Sequence, residues 1–182
     1  MLKLQDNPPI LPPEFESIAE ITGTWWVGHT KARFEKAFAF DLAAKSIPYF
    51  LPMVDRIKMS GGRKRRTKIP LFPSYVFFCG GAESRVSALA TDRLCRVIPV
   101  TDQRAFTLEL NALERALASN SELDLYPFAV VGRRCRVRTG PLEGITGTVL
   151  ERDNRSRLVL QVSMLGVGAA LDIEVDLLEP ID

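Results

Sequence analysis

The sequence has little of what most enzymes need. Its one histidine, His29, and its three widely spaced cysteines, Cys79, Cys95 and Cys135, form neither a metal-ligand spacing nor a disulfide framework. It has no glycine-rich loop that would cradle a phosphate and no nucleophile placed near a base. We therefore expect no enzyme activity, no metal site and no cofactor. The cysteines are expected to be small, buried apolar residues.

Long apolar runs are also missing. No stretch reaches the roughly 18 apolar residues that a membrane-spanning helix needs. The first residues are proline-rich and acidic, whereas a signal peptide begins with basic and then apolar residues. These absences predict a cytoplasmic protein with no membrane segment, and we expect a monomer.

Positive charge is concentrated in one part of the chain. The 182 residues carry a formal net charge of +2, yet residues 25–118 hold sixteen Lys and Arg against eight acids. Residues 132–182 are close to neutral, with seven basic residues against eight acids. A basic module followed by a neutral one predicts that the first meets a polyanion or an acidic protein surface.

The chain is predicted to consist of a leader, two domains and a linker. Residues 1–24 contain four prolines and few large apolar groups, which predicts an extended or disordered leader. In residues 25–118, alternating strand and helix patterns predict an α+β fold, with an antiparallel sheet and helices on one face. The segment from Ser119 to Pro127 is polar and ends in proline, which predicts a linker over residues 119–130. Residues 131–182 contain short strands with turn signals, which predict a small β-barrel.

The first helix of the α+β domain is expected to begin with Thr30 as its N-cap. Lys31 and Arg33 would then lie in the first helical turn, where free N–H groups and the helix dipole favour an anion. Together with His29, these cations form a candidate phosphate site. A solvated helix end explains the same charges equally well.

A basic hairpin is predicted after this helix, because the turn signal Ser60-Gly61-Gly62 separates two strand-like arms. Between Arg56 and Lys68, seven of thirteen residues are Lys or Arg and none is acidic. This charge indicates a nucleic-acid contact. Protection of an exposed sheet edge by charge is the alternative. The residues proposed for the contact are Arg63, Lys64, Arg65 and Arg66.

A rigid segment connects the hairpin to an aromatic strand. Pro70 and Pro73 hold the backbone extended and remove two N–H donors, so a buried strand can begin only after Pro73. Phe72 lies between the two prolines, and Tyr75 begins the strand that continues to Phe78. Burial in the core is the simplest explanation for these aromatic residues. Display on the surface is the alternative.

Several of these segments resemble the NusG family of transcription factors. The segments that match its N-terminal domain, in the family's order, are Trp25-Trp26-Val27, the helix with Lys31, Arg33 and Glu35, Phe50-Leu51-Pro52, and the run from Pro70 to Phe77. Residues 131–181 resemble the KOW domain of the same family, an SH3-like β-barrel, most clearly in the glycine-punctuated run from Arg136 to Val149.

The resemblance implies a non-enzymatic elongation factor that binds RNA polymerase and reduces pausing. Family members grip the clamp helices of the largest polymerase subunit with aromatic residues, and Phe72, Tyr75 and His29 match that contact. The specialised branch, typified by RfaH, also contacts the displaced non-template DNA strand, and Lys31 matches one such contact. A ribosome-associated KOW-type RNA-binding protein is the alternative function.

The resemblance also implies a partner for the KOW domain and a subtype for the whole protein. The loop positions that match the family's partner surface are Leu142, Ile145, Met164 and Leu165. They would meet a small-subunit ribosomal protein or the Rho termination factor. Ser74 stands where the general factor typically has glycine, and Val167 where it often has arginine. These departures favour a specialised, operon-restricted antitermination factor.

Overall fold

The computed structural model describes residues 7–119, 121–126, 132–152 and 155–181. The chain forms two compact units, Met1–Gln103 and Arg104–Asp182. Among the described residues, no helix is long and apolar enough to cross a membrane. Within the same ranges, no group of three or more His, Cys, Asp or Glu side chains is placed to hold a metal ion.

A four-stranded antiparallel sheet forms the centre of the first unit. In chain order the elements are β1 (Trp25–Thr30), α1 (Glu35–Ala44), β2 (Tyr49–Phe50), β3 (Met53–Ser60), β4 (Arg63–Pro70), β5 (Tyr75–Cys79), α2 (Ala82–Leu89) and β6 (Leu94–Pro99). The strand order in the sheet is β2-β5-β1-β6, and β3 and β4 form a separate two-stranded ribbon. This arrangement confirms the predicted α+β fold and the predicted hairpin.

One face of the four-stranded sheet packs against the helices. Phe38 of α1 contacts Phe78 of β5 edge-on, with ring centroids 6.0 Å apart, and both are fully buried. Gly28 on β1 permits this packing, because an added Cβ would lie 3.0 Å from both Phe38 and Leu94. Helix α1 can therefore pack this closely on the sheet because Gly28 has no side chain.

The leader is packed against the rest of the first unit over residues 7–24, through turns and a short 3-10 helix. The Leu51 N–H donates to the Ile10 carbonyl oxygen at 2.9 Å, and the Tyr49 hydroxyl donates to the Pro9 carbonyl oxygen at 3.1 Å. Ile18 lies in a short 3-10 turn and is fully buried. Residues 7–24 combine extended backbone with turns and this 3-10 helix, and residues 1–6 lie outside the described residues.

The second unit is mainly an antiparallel β structure. Its elements, together with the helix that leads into it, are α3 (Gln103–Ala118), β7 (Asp124–Tyr126), β8 (Arg133–Val137), β9 (Thr146–Arg152), β10 (Arg155–Val162), β11 (Val167–Ile173) and β12 (Leu178–Pro180). The six strands form one sheet in the order β12-β8-β9-β10-β11-β7. The sequence predicted a small β-barrel here, and the structure has a second β region in the form of this antiparallel sheet.

Two features of the connection differ from the sequence expectation. The sequence assigns α3 to the first domain, whereas all of α3 after Gln103 lies in the second compact unit. The predicted linker contains β7, which pairs with β11 along Asp124–Tyr126. Residue 120 and residues 127–131, which complete the predicted linker and begin the predicted KOW domain, lie outside the described residues.

The cysteines differ in exposure. Cys79 and Cys135 are buried, as expected, but Cys95 is exposed, so the expectation is wrong there. A register shift explains the difference, because His29 pairs with Arg96 while the next residue, Thr30, pairs with Leu94. Cys95 is the unpaired extra residue of this irregularity, which turns its side chain toward solvent.

We expect Cys95 alone to react quickly with a thiol reagent in the folded protein. Burial raises the pKa of the Cys79 thiol to about 11, so at about pH 8 this thiol is both shielded and protonated. Time-resolved labelling with peptide mass spectrometry should show one fast site, which Cys95→Ser removes. Equally fast labelling at Cys79 before unfolding would contradict this expectation.

Candidate nucleic-acid and protein interface

His29 and Tyr75 form a stacked aromatic pair at one end of the sheet. The two residues are direct partners in the β1–β5 register, and their ring centroids are 5.1 Å apart with planes 23° from parallel. Both side chains are half-buried, so part of each ring faces solvent. Among the described residues, His29 Nδ1 has no hydrogen-bond partner although the atom itself is buried. The pair therefore combines apolar ring surface with one ring nitrogen, His29 Nδ1, that has no hydrogen-bond partner among the described residues.

Arg96 extends this aromatic pair into a row across three strands. It is the partner of His29 in the β1–β6 register, and its side chain is exposed. Residues opposite one another in antiparallel strands point to the same face, so Tyr75, His29 and Arg96 share one face of the sheet. We name these three residues the aromatic row. Arg96 was missed in the sequence because the register of β6 on β1 cannot be read from either strand alone.

The loop before Tyr75 is fixed to the start of α1. The Ser74 N–H donates to a carboxylate oxygen of Glu35 at 2.6 Å, and the Thr30 N–H donates to the Ser74 carbonyl oxygen at 2.8 Å. Glu35 is only 7% exposed. Ser74 has φ of 67°, in the left-handed region that residues with a Cβ rarely adopt. Tyr75 is thus positioned by a buried hydrogen bond and a strained backbone.

The predicted start of the first helix is wrong. Thr30 is the last residue of β1, and α1 begins at Glu35 with Phe34 as its N-cap. Lys31 and Arg33 therefore lie in the turn between β1 and α1, where Arg33 has φ of 67°. Thr30 resembled a cap because threonine is favoured both at N-caps and in strands. The predicted phosphate site at a helix N-terminus does not form.

Lys31 is instead one member of a surface ion pair. Its Nζ atom lies 2.9 Å from a carboxylate oxygen of Asp92, whose side chain is 93% exposed. The hydrogen bond from Lys31 and its positive charge lower the pKa of Asp92. The backbone N–H of Lys31 donates to the Arg93 carbonyl oxygen at 2.9 Å. The turn is therefore held against the residues that lead into β6.

A second aromatic residue lies beside this turn. Phe34 is 36% exposed, and the guanidinium of Arg93 lies over its ring at 5.3 Å from the centroid. Arg93 Nε also donates to a carboxylate oxygen of Asp41 at 2.8 Å, which fixes the guanidinium in place. No pattern in the sequence indicated that Phe34 would remain exposed. Its exposure follows from the late start of α1, which leaves Phe34 outside the helix.

Phe72 does not lie on the surface. It is 1% exposed, and its ring packs edge-on against Phe77 with centroids 6.1 Å apart. The prediction that Phe72 is displayed for a partner is therefore wrong. Pro70 and Pro73 restrict the backbone on either side but do not decide which way the intervening side chain turns. An aromatic ring of this size gains more by burial than by exposure.

The hairpin carries the cations that the sequence indicated. Arg63, Lys64, Arg65 and Arg66 are all exposed along β4. Asp55 on β3 lies 2.9 Å from Arg66 and 3.6 Å from Lys68, so charge is compensated toward the base of the hairpin. The three cations nearest the turn, Arg63, Lys64 and Arg65, have no ion-pair partner in the part of the chain that the structure describes.

The loop positions predicted for a partner of the second unit differ in exposure. Leu142 and Ile145 are buried, at 8% and 3% exposed, so these two are not displayed. Met164 and Leu165 are half-buried. Both loops also carry contacts from α3: the Arg115 guanidinium donates to the Glu143 carbonyl oxygen, and the Ser163 N–H donates to the Glu109 carboxylate at 3.1 Å.

Comparison with known proteins gives one family match. Residues 23–104 match the NusG family, described as transcription termination factor nusG. No curated protein matches the sequence. The solved structure described as "Domain interaction in Thermotoga maritima NusG" aligns with 19% sequence identity and a TM-score of 0.45, covering 87% of this chain and 97% of that chain. The family match includes the aromatic row and the whole hairpin.

Replacing Ser74 by glycine is expected to stabilise the protein, by about 0.5–1 kcal/mol, because glycine adopts the left-handed backbone conformation without the Cβ penalty. Urea unfolding followed by circular dichroism measures the change in the free energy of unfolding. Ser87 in the last turn of α2 is a matched control, since Ser87→Gly should lower stability by up to about 0.5 kcal/mol. Destabilisation by both changes would contradict the strain at Ser74.

Proposed function

We propose that this chain, whose residues 23–104 match the NusG family, is a transcription elongation and antitermination factor that binds RNA polymerase. The aromatic row is the contact. It grips the clamp helices of the largest polymerase subunit, and the bound factor reduces pausing. Catalysis has no part in this function.

The observation that carries the proposal is the half-exposed stack of His29 on Tyr75 beside an exposed Arg96. Aromatic and arginine side chains are enriched at the energetic centres of protein interfaces, because they bury a large area with few rotatable bonds or form directional hydrogen bonds. His29 and Tyr75 are also the half-buried members of the set that resembles the family's polymerase contact, whereas Phe72 is fully buried. Phe72, which is buried, supports β5 from within.

The turn beside the aromatic row supports contact with a displaced single DNA strand. Lys31 and Arg33 project from this turn, and neither is buried. The ion pair of Lys31 with Asp92 is exposed, so it contributes little stability and exchanges readily for a phosphate. When this protein is bound to RNA polymerase, the turn would lie close to the non-template strand.

An operon-restricted role, as in RfaH, is the finer proposal. It rests on two departures from the general pattern, Ser74 in place of glycine and Val167 in place of arginine. The second unit would then recruit a small-subunit ribosomal protein or Rho through the half-buried pair Met164 and Leu165. The missing arginine at Val167 argues against Rho.

Polymerase binding provides the first test. Tyr75→Ala and His29→Ala should each weaken binding of the full chain to RNA polymerase at least about tenfold, as expected for residues at the centre of an interface. Biolayer interferometry with immobilised polymerase measures the change. Tyr75→Phe keeps the ring stack and should retain most of the affinity.

The control for this test is Tyr126→Ala, which removes a half-buried tyrosine from β7 of the second unit and should leave polymerase binding unchanged. Circular dichroism should show all variants folded. Undiminished binding by both Tyr75→Ala and His29→Ala would overturn the proposed contact. If the unaltered chain binds ribosomes but not polymerase, the alternative function as a ribosome-associated RNA-binding protein is favoured.

Single-stranded DNA provides the second test. The double variant Lys31→Ala/Arg33→Ala should bind an oligonucleotide more weakly, and the slope of log K against log salt should fall by about 1.4, since each phosphate contact on a single strand contributes about 0.7. Asp92→Asn should tighten binding, because it removes the carboxylate that competes for Lys31. Fluorescence anisotropy across a salt series measures both effects.

Lys45 is the control for this second test, because it is an exposed cation at the far end of α1 and Lys45→Ala should leave the slope unchanged. An unchanged slope in Lys31→Ala/Arg33→Ala would show that these cations do not contact the strand.

A further inference from the structure

The β3–β4 hairpin is a long two-stranded ribbon that forms no part of the four-stranded sheet. Its two arms pair without interruption from Met53 opposite Pro70 to Ser60 opposite Arg63. Eight paired residues in each arm give a ribbon about 27 Å long. Because opposite residues share a face, the register divides its side chains into two sets.

One face of the ribbon carries exposed apolar side chains beside cations. Ile57 is 70% exposed and lies opposite Arg66, and Met59 is 65% exposed and lies opposite Lys64. These four residues form what we name the wedge face. Exposed cations alone would fit the protection of a sheet edge, but a neighbouring pair of large exposed apolar side chains does not. The wedge face therefore indicates a surface that a partner covers.

The charge distribution indicates a polyanionic partner. Asp55, the one acidic residue of the two arms, pairs with Arg66 and Lys68 and so lies toward the base. Arg63 and Arg65 project from the opposite face to Lys64, so cations flank the ribbon tip on both sides. Two flanking rows of positive charge match the two phosphate backbones that border a groove of duplex DNA.

The apolar residues distinguish a duplex from a single strand. Proteins that bind single strands stack the bases on aromatic side chains, and neither arm of the ribbon contains an aromatic residue. Proteins that bind the minor groove of a duplex insert aliphatic residues such as isoleucine and methionine between base pairs and bend the DNA. Ile57 and Met59 are residues of this second type.

We propose that the hairpin binds double-stranded DNA in the minor groove, with the tip cations on the phosphates and with Ile57 and Met59 inserted between base pairs so that the duplex bends. This inference specifies the nucleic-acid partner of the basic residues Arg63–Arg66. It does not depend on the aromatic row or on polymerase binding. Ile57 and Met59 supply the bend and part of the affinity, and the cations supply the salt-dependent part of the affinity.

The test uses the full chain and a duplex of about 25 base pairs, long enough to exceed the ribbon, with fluorophores at its two ends. Anisotropy measures affinity for the duplex and for either single strand, and energy transfer between the fluorophores measures bending. The unaltered chain should prefer the duplex and increase the energy transfer. Equal or tighter binding to the single strands, or no binding to the duplex at low salt, would overturn the proposal.

Two variants separate the effect of the apolar side chains Ile57 and Met59 from the effect of the cations. Ile57→Thr/Met59→Thr keeps residues that favour strands, so it should retain the salt slope while losing bending and about tenfold in duplex affinity. Arg63→Ala/Lys64→Ala/Arg65→Ala should lower the slope by about 2.7, since each phosphate contact on a duplex contributes about 0.9. Val86→Thr on α2 is the matched control, because Val86 is 62% exposed but lies away from the ribbon.

Polymerase binding by Ile57→Thr/Met59→Thr should equal that of the unaltered chain, and Tyr75→Ala should retain duplex bending. Failure of the polymerase contact can therefore be recognised separately from failure of the duplex contact. Unchanged bending by Ile57→Thr/Met59→Thr would overturn the proposed insertion of these two side chains between base pairs. An unchanged salt slope in the triple variant would overturn the proposed phosphate contacts of the cations.

Discussion

The hydrogen bond from the Ser74 N–H to the Glu35 carboxylate is the interaction on which the geometry of the first unit depends. It joins the start of α1 to the loop before β5 and gives a buried carboxylate a donor, without which burial of that charge would be costly. The neighbouring bond from Thr30 to Ser74 closes the same junction against the end of β1. Because β1 lies between β5 and β6, fixing this junction also fixes where Tyr75, His29 and Arg96 meet.

The elements that could be predicted from the sequence are those whose signals are local. The hairpin follows from Ser60-Gly61-Gly62 between two strand-like arms, and the α+β fold follows from patterns within single segments. Three features needed information from elsewhere in the chain. Thr30 satisfies both the cap and the strand preference, and pairing with β6 decides for the strand. Phe72 packs on Phe77, a direction that the prolines beside it do not decide. Arg96 joins the aromatic row only through register.

The first unit separates two kinds of recognition chemistry. The aromatic row lies on the paired sheet and combines a stacked pair of rings with one exposed guanidinium, which suits a protein surface. The ribbon lies outside that sheet and combines aliphatic side chains with several cations, which suits a nucleic-acid groove. The two surfaces share no residue, so under the two proposals a protein and a polyanion would not compete for the same side chains.

The packed leader has a consequence for solubility. β2 is the edge strand of the four-stranded sheet, and the leader runs beside it, so that the Ile10 carbonyl oxygen accepts from Leu51 just beyond the strand. An uncovered edge strand offers unpaired backbone groups to another chain and promotes association. Prolines at positions 8, 9, 12 and 13 cannot donate backbone hydrogen bonds, so the covering segment is itself a poor template for a further strand. The proline-rich leader thus covers the β2 edge without presenting a further strand edge to which another chain could pair.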